Sequence, residues 1–320
     1  MDSAERATND LPKSLFADDV AISRVGFGAW AIGGPYENGW GPVDDDVSVR
    51  AILRAVDLGV NWIDTAPAYG HGHSESVVGK ALNAVGGSAR PLIFTKCGRT
   101  WPGGKITSDL RPKSIRKQCE DSLRRLSVER IDLYQIHRPD SNTGTPIEES
   151  WGELAHLADE GKVRWIGVSN CDQEFIERCD RVRAVDSFQP RISIVDQSAL
   201  ALAGWCRKQG IAVLGYSPLG SGLLTGKFSP KNLAPGDWRI NSSRFNGASL
   251  DRGLALVDTL ESVGANKGKS VIDLALGWVL ARDEVTATIV GARRSSQVDE
   301  WVRAASNPLS KEVIEILNTI

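Results

Sequence analysis

The sequence predicts a single (β/α)8 barrel, an α/β fold of eight parallel strands with extra helices at its C-terminal end. Three observations carry this. Short β-branched or aromatic runs alternate with amphipathic stretches in eight strand-then-helix units along 320 residues, the pattern of parallel βα crossovers. No shift in composition divides the chain. The first βα turn, Gly26-Phe27-Gly28-Ala29-Trp30-Ala31-Ile32-Gly33-Gly34, has glycines without GxGxxG spacing and leads directly into no helix, which disfavours an open doubly wound sheet. Residues 1–20 read as a loose N-terminal tail leading into a short strand or hairpin, and 21–320 as one barrel domain.

The units follow in order. Residues 25–30 form the first strong strand. Asp44-Asp45-Asp46 supplies caps for a helix to about Leu58, with Val49, Ile52, Leu53 and Val56 at helical spacing, and Gly59 stops it. Strand 60–64 precedes helix 74–84. Strand 92–96 precedes helix 112–126, where Pro112 suits the first turn. Strand 131–136 precedes helix 147–160, 163–168 precedes 172–180, and 184–188 precedes 198–208. Strand 211–216 opens a Gly- and Pro-rich stretch, 217–250. Helices at 251–264 and 270–281, strand 286–290, and helices at 295–304 and 311–318 complete the chain.

Composition narrows the function. A net charge of −2 gives no electrostatic footprint for nucleic acid. There is no uninterrupted apolar run long enough to span a bilayer, and residues 1–10 are polar rather than signal-like. Five cysteines without close pairing suit a reducing, cytoplasmic setting. The oligomeric state is not legible.

Strand ends concentrate the chemistry. Asn61-Trp62-Ile63-Asp64 reads as a strand that breaks at Pro67 and Gly70, so Asp64 sits at its C-terminal end and Tyr69 in the following loop. Lys96 ends Leu92-Ile93-Phe94-Thr95-Lys96, and His137 ends Ile131-Asp132-Leu133-Tyr134-Gln135-Ile136-His137. On a barrel these ends face one mouth, the edge where sites are built. Tyr69 is expected to protonate a carbonyl oxygen as hydride reaches the carbon. Lys96, held by Asp64, is expected to lower the phenol pKa from about 10 toward about 7, which requires roughly 4 kcal/mol. His137 orients the carbonyl and shares the proton.

These motifs, followed by Gly167-Val168-Ser169-Asn170 and Gly215-Tyr216-Ser217-Pro218-Leu219, resemble the aldo-keto reductase family, in the same order and over nearly the whole chain. The resemblance implies a (β/α)8 barrel reducing the carbonyl of a small aldehyde or ketone with NADP(H), with Asp64, Tyr69, Lys96 and His137 as catalytic residues. It assigns Ser169, Asn170 and Gln189 to the nicotinamide carboxamide and Tyr216 to stacking on the ring. Ser217, Leu219, Gly220, Ser221, Gly222, Leu223, Thr225 and Lys227 lie over the pyrophosphate. Gly28, Ala29 and Trp30 complete the cofactor side. Gly291, Arg293 and Gln297 match the segment gripping the adenosine 2′-phosphate, in the Gly-Ala-Arg form of one branch rather than the Lys-and-Arg form of another. Glu300 matches an adenine contact, and Trp301 replaces the usual asparagine. No metal is implied.

Trp30, Tyr69, Trp101, His137 and Arg138 are expected to meet the substrate, with Tyr36 and Trp40 in neighbouring loops. Aromatic walls suit a sugar-like or aryl compound, and Arg138 suits a carboxylate or phosphate unless Asp140 pairs it. Two alternatives come from other classes. One is a cofactor-binding regulatory subunit with little turnover. The other is a metal-dependent hydrolase using His71, His73 and His137.

Overall fold

The computed structural model describes residues 11–17, 20–85 and 90–320; the polar segment 1–10 of the expected tail lies outside the described residues. In chain order the elements are β1 Lys13–Leu15, β2 Ala21–Ser23, β3 Val25–Gly28, α1 Asp45–Asp57, β4 Trp62–Asp64, α2 His73–Val85, β5 Leu92–Cys97, β6 Arg99–Thr100, β7 Thr107–Ser108 and α3 Pro112–Leu126. There follow β8 Ile131–Ile136, α4 Ile147–Asp159, β9 Val163–Ser169, α5 Gln173–Asp180, β10 Ser187–Gln189, α6 Leu200–Lys208 and β11 Ala212–Tyr216. The chain ends with α7 Gly247–Lys267, α8 Val271–Leu280, β12 Ala287–Gly291, α9 Ser295–Ala305 and α10 Lys311–Leu317.

Strands β3, β4, β5, β8, β9, β10, β11 and β12 close in that order into a parallel barrel. Local chemistry fixes the helix ends. The Asp44 carboxylate accepts from Val47 N at 3.0 Å and caps α1. Asp172 caps α5, and Ser270 with Asp273 forms a reciprocal capping box on α8. Pro112 occupies the first turn of α3, where its missing N–H has no cost.

Two apolar layers hold the fold. One packs the helices on the outside of the strands. The other fills the barrel interior with Trp62, Phe94, Leu133, Trp165, Leu214 and Ile289. The hairpin β1–β2 crosses the base and drives Phe16 into that interior, 5.4 Å from the Phe94 ring and 5.1 Å from Trp165. Burying such a side chain contributes roughly 1.5–3 kcal/mol. Part of the segment expected as a tail is thus the plug of the barrel. Gly26 faces the same interior, where a Cβ would lie 2.3 Å from Trp62 Cε2.

The other departures from expectation lie in connections. The β6–β7 hairpin is too short to give any periodicity. Helix α7 starts at Gly247 and runs on to Lys267. The stretch 217–250 carries four short 3-10 turns, at Gly220–Thr225, Pro230–Asn232, Trp238–Asn241 and Ser243–Phe245. Among the described residues no helix is long and apolar enough to cross a membrane.

Candidate active site

Asp64, Tyr69, Lys96 and His137 meet at the C-terminal mouth of the barrel. Lys96 Nζ lies 2.6 Å from Asp64 Oδ1 and also donates to the Thr65 carbonyl at 3.0 Å. The pair is buried, with 1% of the lysine and 4% of the aspartate side chain exposed. Nζ reaches the Tyr69 phenol oxygen at 3.4 Å. Because Lys96 is the donor there, the phenol proton stays available to a third group. The Tyr69 and His137 rings meet edge to face at 5.8 Å. Gln189 Nε2 donates to the second Asp64 oxygen at 2.8 Å and to Gln135 Oε1 at 3.2 Å, so the buried carboxylate has partners on both sides.

The electrostatics correct one expectation. The Tyr69 phenol is not lowered toward neutrality: burial raises its pKa well above 10, and the charges of Asp64 and the neighbouring Tyr216 add to this, with Arg138 acting in the opposite sense. Lys96 gives up most of its field to the carboxylate 2.6 Å away, so its charge does not dominate the phenol. Tyr69 is therefore a fully protonated donor at neutral pH. His137 is held neutral, well below its ordinary 6.5, by burial and by the charges of Lys96, Arg138 and Arg99. It can orient a ligand through a neutral imidazole, but it does not carry a spare proton near pH 7.

A cavity of about 620 Å³ runs from this cluster across the mouth. Its walls include Gly28, Trp30, Asp64, Tyr69, His137, Arg138, Asn170, Gln189, Tyr216 and Ser217, and farther along Leu219, Ser221, Gly222, Thr225, Gly291, Arg293, Gln297 and Glu300. Tyr216 OH donates to Asn170 Oδ1 at 2.7 Å, while Asn170 Nδ2 donates to the His137 carbonyl at 3.1 Å. The ring and the amide are thus fixed together at the cavity floor. Ser217 and Ser221 adopt φ of 57° and 55°. Left-handed residues turn successive backbone N–H groups toward one side, an arrangement that suits an anion.

Seven expected residues stand outside the cavity wall. Lys96 lies beneath Tyr69, and Ala29 is fully buried. Ser169 is 1% exposed; its hydroxyl donates to the Gln189 carbonyl at 2.8 Å and accepts from Asn170 Nδ2 at 2.8 Å. It braces Asn170 from behind. Leu223 packs inside the 3-10 turn that also holds Gly220. Lys227 reaches outward to Glu300 at 2.7 Å. Trp101 stacks on His71 with ring centroids 5.2 Å apart.

The sequence reading missed Asn38, Arg99 and Arg191 in the cavity wall. Trp40 stands in a neighbouring loop, and Trp238 and Arg244 lie in the stretch 217–250. The structure zips these loops together: Trp238 N donates to the Gly39 carbonyl at 3.1 Å, Trp30 packs on Trp40 and Trp238 at 5.2 Å each, and the Arg239 guanidinium lies 4.4 Å over Trp40. Arg293 Nη1 donates to the Trp40 carbonyl at 3.3 Å and Nη2 to that of Pro42. Arg138 makes no ion pair with Asp140, whose carboxylate is taken by Thr143 and Asn142. The histidines do not form a ligand set. His73 is held by Asp45 at 2.8 Å and the Gly33 carbonyl at 3.1 Å, and among the described residues no three His, Cys, Asp or Glu side chains are grouped to hold a metal.

A closed parallel barrel with a tyrosine–lysine–aspartate–histidine cluster at the mouth of a long groove defines a recognisable class of oxidoreductase. The model of the aldo/keto reductase family matches residues 24–320, and the chain belongs to that family. It is 34% identical over 310 residues to the aldo-keto reductase YhdN of Bacillus subtilis, covering 96% of this chain and 92% of that protein. It is 34% identical over 309 residues to an NADH-specific methylglyoxal reductase of Escherichia coli, covering 92% and 94%. The structure of the glycerol dehydrogenase AKR11B4 from Gluconobacter oxydans superposes with a TM-score of 0.85 at 38% identity, covering 98% of this chain and 95% of that one.

Proposed function

We propose that the protein is an NADPH-dependent reductase of a small aldehyde or ketone, sugar-like or aryl, with Tyr69 as the general acid. The observation that carries this is the Tyr69 hydroxyl, fixed 3.4 Å from Lys96 and beside His137 in the same cavity that ends at Arg293 and Gln297. Bound NADPH supplies the hydride that reaches the carbonyl carbon. Tyr69 donates its proton to the carbonyl oxygen as negative charge develops there. Neutral His137 donates a hydrogen bond to the same oxygen and sets its direction. Gln189 holds Asp64, Asp64 holds Lys96, and Lys96 donates to the phenol oxygen, so the phenol proton is left for the carbonyl.

The cavity fits a dinucleotide. Asn170 and Gln189 have their amide N–H groups taken by protein partners and keep acceptor capacity on their side-chain oxygens, Tyr216 offers a ring face, and the left-handed turns at Ser217 and Ser221 offer backbone donors. Among the described residues the indole N–H of Trp301, which lines the far end, has no partner. Arg293 and the adjacent exposed Arg294 bring two positive charges to that end, which favours a 2′-phosphate. Five free cysteines are consistent with work in the cytosol.

A second reading has NADH as the working cofactor. It draws on the commitment of Arg293 to the Trp40 and Pro42 carbonyls, and on the NADH specificity in the name of the Escherichia coli relative. A tryptophan-fluorescence titration with each nucleotide, repeated on Arg293→Ala, separates them. NADPH is expected to bind at least tenfold tighter than NADH and to lose that advantage in the variant. Binding of neither nucleotide to folded protein would remove the reductase reading.

A further inference from the structure

The substrate end of the cavity carries positive charge that neither the fold nor the proposed hydride chemistry uses. Arg99, Arg138, Arg191 and Arg244 all line it. They come from four separate places: the start of β6, the residue after His137, two residues beyond β10, and the turn Ser243–Phe245. No carboxylate answers them in that wall. The two acids that line the cavity are Asp64, committed to Lys96 at 2.6 Å, and Glu300, committed to Lys227 at 2.7 Å.

The partners these arginines do have are weak. Among the described residues Arg138 makes no ion pair or side-chain hydrogen bond, and Arg244 makes only a cation–π contact, 5.1 Å from the Trp238 ring. Arg191 stands 3.7 Å from Asp196 and 5.4 Å from the Tyr216 ring. Arg99 donates to Ser108 Oγ at 3.2 Å. The guanidiniums also feel one another. Burial and the charge of Arg138 depress Arg99 against the opposing charge of Glu37, while burial, Arg191 and Arg138 depress Arg244 against the opposing Tyr216 and Asp196. An arginine does not escape such repulsion by losing its proton. An anion seated among them relieves it, and the planar fork of a guanidinium matches a carboxylate or phosphate.

We propose that the carbonyl compound reduced here carries an anionic group, a carboxylate or a phosphate, which Arg138 and Arg244 hold while the carbonyl meets Tyr69 and His137, with Arg99 and Arg191 adding field from the flanks. The inference rests on the reductase reading above and adds the substrate's charge to it.

Two matched pairs test it: 4-carboxybenzaldehyde against its methyl ester, and glyceraldehyde 3-phosphate against glyceraldehyde. In wild-type protein with NADPH, kcat/KM for the anionic member of at least one pair is expected to exceed that of its neutral partner by at least about tenfold, the effect of one charge-assisted contact. The pair that shows it distinguishes carboxylate from phosphate. Arg138→Met and Arg244→Met should each lower that ratio about tenfold, mainly through KM, and Arg138→Lys should keep it within about threefold. A ratio near one for both pairs, or a ratio the variants do not move, overturns the proposal.

A binding readout independent of turnover separates this from failure of the reductase reading. Tryptophan fluorescence of the NADP⁺-loaded protein, titrated with 4-carboxybenzyl alcohol and with inorganic phosphate, should report saturable binding of at least one, weakened about tenfold in Arg138→Met. If none of the four aldehydes is reduced, the reductase reading falls. This titration then decides the anion site alone, and anion binding indifferent to Arg138 and Arg244 overturns it.

Discussion

Replacing Lys96 by methionine isolates what the buried pair does. The lysine and Asp64 side chains are 1% and 4% exposed and 2.6 Å apart. Without the ammonium, Asp64 keeps one partner, the Gln189 amide at 2.8 Å, and becomes an uncompensated buried charge. Breaking such a pair from one side costs about 3–5 kcal/mol. At about 2 °C per kcal/mol for a chain of this size, the midpoint of thermal unfolding should fall by roughly 6–10 °C. The double variant Asp64→Asn/Lys96→Met no longer buries a charge and should melt above the Lys96→Met single variant. Differential scanning calorimetry of the three proteins at one scan rate makes the comparison. A drop under about 2 °C for Lys96→Met, or a double variant melting no higher than the single one, would refute the claim that Lys96 chiefly neutralises Asp64.

Other outcomes follow from the same geometry. Burial keeps His137 neutral in the fold, below its ordinary 6.5, so below that pH the unfolded chain binds a proton the native state refuses. Stability should therefore fall as pH drops through 6.5, by up to about 1.4 kcal/mol per pH unit from this residue, and denaturation of His137→Gln at pH 7 and pH 5.5 should show a shallower loss than wild type. Gly26→Ala would place a Cβ 2.3 Å from the Trp62 ring inside the barrel. Urea unfolding should show at least about 1–3 kcal/mol of destabilisation, whereas a neutral result would mean the interior has room the packing does not show.

Much of this was legible from sequence, for definite reasons. Helix α3 was readable to the residue because Pro112 marks its first turn and Leu126 closes its apolar stripe. Asp64, Lys96 and His137 were readable because a parallel barrel sends every strand end to one mouth. Phe16 was not, since one aromatic in a polar segment has no period to betray it. Arg99 and Arg191 were missed because the two-residue strand β6 and the loop after β10 carry no local pattern pointing into the cavity. Arg293 reads as a phosphate ligand from its neighbours, while its bonds to the Trp40 and Pro42 carbonyls come from the far side of the chain. The direction of the Tyr69 shift was misjudged because the sequence pairs Lys96 with Asp64 but does not show how deeply the phenol is buried, the largest cause of the rise, to which the Asp64 charge adds.

The proposed reaction depends above all on Tyr69 delivering the proton to the carbonyl oxygen. Tyr69→Phe keeps the ring and deletes only the hydroxyl, so single-turnover NADPH oxidation with an aldehyde, measured beside NADPH affinity, tests it most directly. Nucleotide binding should stay within about threefold of wild type while the rate falls by about 10²–10⁴, the usual contribution of a positioned acid. Normal nucleotide binding with more than about a tenth of the wild-type rate would contradict it.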